Sequence, residues 1–186
     1  MSEGGVTMRN KAQSVAMCAL FTVLIAVGAF LKIPLPLPFT MQLFFVVMSG
    51  LLLGSRRGAI SAALYMALGL TGLPIFAGGG GVSYVAQPSF GYIIGFVFAA
   101  FFVGLIAERK KNPALFNMLL AALVGVAIAY GVGMVYYYFV TNFVLGVPLG
   151  VGRLLVICCL ITAPADIALS VGAAVLSRKL RRFMPF

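Results

Sequence analysis

Apolar runs separated by short polar or basic clusters set the pattern of this chain. Six such runs stand out: Ala12–Leu31, Met41–Leu53, Gly58–Leu73, Ser89–Ala107, Pro113–Val140 and Gly152–Ser177. Each predicts a helix that is apolar on all sides, which water would not tolerate but lipid does. Two are short. At about 1.5 Å per residue, Met41–Leu53 reaches roughly 20 Å and Gly58–Leu73 roughly 24 Å, against a hydrocarbon core of about 30 Å. Both meet at one turn, Gly54-Ser55-Arg56-Arg57, so the missing length lies at their opposite ends.

At those ends the chain reads Ile33-Pro34-Leu35-Pro36-Leu37-Pro38-Phe39-Thr40 and, on the other side, Pro74 to Pro88 with Gly78-Gly79-Gly80-Gly81 inside it. Alternating prolines forbid regular helix and consecutive glycines discourage it. Irregular backbone at membrane depth is tolerated only where protein or a watery cavity satisfies its polar groups. A pocket walled by these two loops is therefore expected at the outer face.

Composition agrees with a lipid solvent. Of 186 residues, 63% are hydrophobic and only 9% charged. The thirteen Lys and Arg give a net charge of +10, yet all except Lys32 and Arg153 fall on one side if there are six crossings. Positive charge marks the cytoplasmic side. The expectation is one all-α integral membrane domain over residues 1–186, with six transmembrane helices and both termini cytoplasmic. The basic residues form no aromatic-interleaved face, so nucleic acid is not an expected partner. The first run is longer than a signal-peptide core and no small-residue cleavage site follows it.

Chemistry-bearing residues are few. The chain has no His, and its cysteines, Cys18, Cys158 and Cys159, all lie in apolar runs and read as buried small hydrophobes. No carboxylate pair, Cys/His pair or metal-ligand spacing is present, so neither an enzyme nor a cofactor is expected. Of three acids, Glu3 and Glu108 read as solvated. Asp166, in Thr162-Ala163-Pro164-Ala165-Asp166, sits within the last apolar run, where a carboxylate costs about 2.5–3.5 kcal/mol unless it faces a partner or cavity. It either touches a ligand or caps a helix restart after Pro164. Thr40, Gln42, Tyr84, Gln87, Tyr92 and Asn142 are polar groups near the outer ends; Tyr136, Tyr137 and Tyr138 read as interfacial belt residues. The glycine run lacks the Gly-Lys-Ser/Thr of a nucleotide loop. Ala12, Ala16 and Ala19 begin a small-residue stripe on the first helix, suited to close approach of another helix of this protein or of a separate subunit.

Four stretches resemble the BioY family, the biotin-specific S components of energy-coupling-factor (ECF) transporters: Lys32 to Gln42, Gly72 to Gly81, Pro88 to Phe96, and Pro164-Ala165-Asp166. The resemblance implies a multi-pass protein of the prokaryotic cell membrane that binds biotin in an outward pocket under the first and third loops. It implies partners: a transmembrane coupling subunit, docked near the alanine stripe, and two ATPase subunits. Family members often carry cations where this chain has Ile93 and Leu169. Lys32 and Arg153 are then the only outer-side cations left to meet the biotin carboxylate. An S component for another vitamin, a proton-coupled secondary transporter using Asp166, and a ligand-free structural or pore-forming protein are the competing readings.

Overall fold

The computed structural model describes residues 3–33, 39–109, 113–160 and 162–181, with side chains from residue 11 onward. It is a helical bundle. Helix α1 covers Glu3–Phe30, α2 Gln42–Leu53, α3 Ser55–Leu70, α4 Phe90–Glu108 and α5 Leu115–Phe139. A short α6, Val151–Leu155, runs into a π-helical stretch, Val156–Leu160, and α7 restarts at Ala163 and ends at Leu180. Four stretches are long and apolar enough to cross a membrane: Lys11–Phe30, Phe90–Glu108, Leu115–Val144 and Val151–Leu180. Helices α2 and α3, of 12 and 16 residues, are shorter, as their sequences predict.

One core joins these helices, with Phe21 and Ile25 of α1, Val46 and Leu51 of α2, Tyr65 of α3, Val103 of α4 and Met118 of α5 all buried in it. Lipid tails are as apolar as Leu, so burial alone does not hold such helices together; close van der Waals packing does. The outward faces are correspondingly apolar, with Val23, Phe98, Phe116 and Val135 exposed.

The turn between α2 and α3 is tighter than expected. Only Gly54 separates them, and Arg56 and Arg57 lie within α3. Gly54 has φ 83°, and a Cβ there would stand 2.0 Å from Glu108 Oε1. Glu108 is not simply a solvated acid. Its Oε1 accepts from the Ser55 backbone N–H at 2.9 Å and its Oε2 from the Ser55 hydroxyl at 2.8 Å, so it caps α3 from the end of α4. Arg181, just past α7, donates to the Leu51 carbonyl at 3.0 Å and feels the Glu108 charge. The α2–α3 turn, the end of α4 and the end of α7 thus meet at one basic end of the bundle.

The opposite end is built of irregular backbone. Strands β1, Lys32–Ile33, and β2, Phe39–Thr40, pair antiparallel with Lys32 opposite Thr40. The proline-rich residues 34–38, expected to help wall a pocket, lie outside the described residues. The glycine loop is pinned by Phe76, whose ring is buried edge-on against Tyr65 at 5.4 Å and tilted over Tyr84 at 4.7 Å. Its backbone closes with Phe76 N–H to Gly79 O at 2.8 Å and Gly81 N–H to Gly69 O at 2.7 Å.

Candidate functional site

A cavity opens at this irregular end. Counted with its mouth it encloses about 560 Å³ and is lined by Phe39, Thr40, Gln42, Ala77, Tyr84 and Ser89 near the loops, with Tyr92, Ile93, Phe96, Tyr130, Thr162 and Asp166 among the helical residues.

Depth comes from the helices. Pro164 in the first turn of α7 lacks an N–H and suits a helix start. The restart places Asp166 in the first turn of α7, its N–H bonded to the Thr162 carbonyl at 3.1 Å. Asp166 as a residue is 9% exposed. Tyr130 on α5 donates to Asp166 Oδ2 at 2.5 Å and stands 2.9 Å from the Thr162 hydroxyl, which in turn reaches the Cys158 carbonyl at 2.8 Å. Among the described residues nothing donates to Asp166 Oδ1. One acceptor is therefore held in place and left open.

The upper wall carries donors. The Thr40 hydroxyl donates to Gln42 Oε1 at 3.1 Å, and Gln42 Nε2 donates to the Tyr65 hydroxyl at 2.7 Å. Tyr65 passes its proton to the Ile75 carbonyl at 3.2 Å. An amide nitrogen has two N–H groups, so Gln42 keeps one unspent. Tyr84 and Ser89 share one hydrogen bond at 3.3 Å, which leaves the pair one proton to give.

Of the candidates read from sequence, the fold brings Thr40, Gln42, Tyr84, Tyr92 and Asp166 into the lining. Tyr92 supplies a ring wall. It packs so closely on Gly133 that a Cβ there would meet the ring at 2.7 Å, while its hydroxyl is buried without a hydrogen bond toward the Leu149–Cys158 cluster. Four candidates, Gln87, Arg153, Lys32 and Asn142, are not in the lining. Gln87 is exposed on the loop. Arg153 is exposed on α6, which contributes no residue to the lining. Lys32 is exposed at the rim, its Nζ donating to the carbonyl of Ala77. Asn142 is a loop clamp: it bonds the Tyr138 and Leu149 carbonyls and the Leu149 N–H.

Tyr130, Thr162 and Tyr65 were not candidates. Tyr130 and Tyr65 sit mid-run in apolar helices, where a tyrosine gives no positional signal. Tyr136 does more than anchor at an interface, since its hydroxyl donates to the Val85 carbonyl at 2.6 Å and holds the segment before α4.

A bundle with a small, loop-roofed cavity holding one open buried carboxylate oxygen is a membrane protein built around a small polar ligand. The chain matches the BioY family model over residues 3–186, and it belongs to the BioY family. It is 41% identical over 168 residues to "Probable biotin transporter BioY" of Lysinibacillus sphaericus, covering 90% of this chain and 86% of that one. It is 44% identical to "Biotin transporter BioY" of Thermotoga maritima, covering 67% and 71%. The fold is similar, with a TM-score of 0.81 and 30% identity over 94% of this chain and 93% of the other, to the crystal structure of an S component for biotin from an ECF-type ABC transporter. These relatives are transporters, not enzymes.

Proposed function

We propose that this protein is the biotin-binding S component of an ECF-type importer, crossing the plasma membrane six times with its basic end cytoplasmic and its cavity facing out. The observation that carries the reading is Asp166, fixed by Tyr130 and open at Oδ1 inside the cavity. Biotin's ureido ring offers two N–H donors and a carbonyl. An ionised carboxylate only accepts, so Oδ1 complements a ureido N–H. The named functions of the relatives support the same ligand.

The glycine run lacks the Gly-Lys-Ser/Thr of a nucleotide loop, so energy would come from the coupling subunit and two ATPase subunits. Ala12, Ala16 and Ala19 are exposed on α1, away from the face that carries Phe21 and Ile25, so no helix of this bundle occupies the stripe. It is the surface we assign to the coupling subunit.

One preparation tests both halves. Protein purified from cells given no added vitamin should carry bound biotin. The same protein with Ala12→Trp and Ala16→Trp should keep its biotin and lose co-purification of the coupling subunit. Absence of bound biotin together with no response to added biotin would overturn the ligand assignment; normal assembly of the Trp variant would move the docking face elsewhere.

A further inference from the structure

Among the described residues the cavity lining contains one charged side chain, Asp166, and that charge is negative. Every cation of the chain other than Lys32 and Arg153 belongs to the basic end or to the segments next to it. The stretch 34–38 and residue 161, outside the described residues, contain only Pro, Leu and Ile. Arg153 is exposed on α6, outside the lining, and Lys32 is exposed at the rim, where its ammonium donates to the Ala77 carbonyl and stays in contact with water. Position 93, which lines the cavity, is isoleucine.

A ligand carboxylate buried here would therefore meet no counter-ion and would share the space with Asp166. Burying an unpaired charge is strongly unfavourable, and a like charge nearby makes it worse. The cavity has the length to avoid this. Tyr130, which holds Asp166, lies six residues along α5 from Tyr136, which reaches the Val85 carbonyl of the loop segment, a separation of roughly 9 Å at helical rise that sets Asp166 below the loop lining. The lining near the mouth offers neutral donors from Gln42 and the Tyr84–Ser89 pair, which recognise a carbonyl oxygen whether it belongs to an acid, an amide or an ester.

From this arrangement we infer that the site takes its ligand ring-first, with the acyl tail at the rim, and does not read the tail's charge. The ligand class is then ureido-ring compounds with neutral as well as anionic tails, the primary amide and the methyl ester of biotin included. The inference rests on the biotin reading and goes beyond it.

Titration calorimetry of the purified full-length protein with biotin, its primary amide and its methyl ester tests it, in buffer of physiological ionic strength. The expected result is that all three bind with affinities within about fivefold, the most that an exposed ion pair at the rim would add. Tight biotin binding with a loss of about thirtyfold or more for both neutral analogues would overturn the inference while leaving the biotin reading intact, because only an internal charge partner gives a factor of that size. Failure of all three to bind would overturn the biotin reading and this inference with it.

Discussion

Among the described side chains, the two ends of the bundle each hold one carboxylate, and they treat it oppositely. At the basic end both oxygens of Glu108 are engaged by Ser55, and Arg181 lies close by. At the cavity end Tyr130 engages one oxygen of Asp166, and the other faces open space without a donor. A saturated carboxylate in a tight node completes a helix terminus. A half-saturated one, buried and oriented, is ready for a donor that arrives from outside. Burial alone does not separate these roles, since Asp166 is the more buried of the two. The count of unmet hydrogen bonds does.

The backbone around each group follows the same division. The basic end turns on a single residue, Gly54, in a conformation that favours glycine. The cavity end spends two short strands, the Phe76 loop and a 3-10 turn over Val82–Ala86 on the same task of joining helices. Shortened α2 and α3 make room for that irregular roof, and the roof supplies Thr40, Ala77 and Tyr84 to the cavity.

The largest effect should come from Asp166→Asn. It preserves size but turns one oxygen into an N–H donor that would confront a ureido N–H. A hydrogen bond to a charged group contributes about 1.5–3 kcal/mol, so biotin affinity should fall by roughly one to two decades with the fold retained. Calorimetric titration of the purified variant measures this. Affinity within about twofold of the parent protein would return Asp166 to a purely structural role and leave the two ends of the bundle alike.

Glu108→Ala sharpens the comparison from the other side. It leaves the Ser55 N–H without its acceptor at the start of α3, and loss of such a cap costs about 0.5–2 kcal/mol. Thermal unfolding in detergent should show the loss, while biotin affinity, read on the same sample, should stay within about twofold. A large affinity change from Glu108 would mean that the ends are coupled through α4, and the division drawn above would fail.

Much of this division was legible in the residues. Prolines at 34, 36 and 38 argue against helix and the glycines at 78–81 discourage it, and the described loop around Phe76 is irregular as that local chemistry predicts. Asp166 was conspicuous because acids are rare inside apolar runs. What stayed hidden was long-range. Glu108 reaches Ser55 across 53 positions, and without that contact Arg56 and Arg57 read as loop rather than as the first turn of α3. Tyr130 reaches Asp166 across 36 positions, from a helix in which nothing marks it apart from Tyr136 or Tyr137. Pairings of this kind depend on how α4, α5 and α7 pack, and no local pattern encodes them. Arg153 and Lys32 were candidates by elimination of charge, and elimination carried no information about depth.

The smallest effect is expected from Lys32→Gln, and its form matters more than its size. Lys32 is exposed, and its ammonium ties β1 to the carbonyl of Ala77 across the mouth of the cavity. If that tie is its role, the substitution loosens the rim for every ligand alike. Biotin and its primary amide should then both weaken by the same factor, no more than about fivefold for a single exposed contact, chiefly through faster dissociation. If Lys32 instead reads the carboxylate, biotin alone should weaken and the amide should bind as before. The ratio of the two affinities, measured before and after the substitution, distinguishes a latch from a counter-ion. A constant ratio keeps charge recognition out of the cavity end and leaves Asp166 as the one ionised group there that the ligand must satisfy.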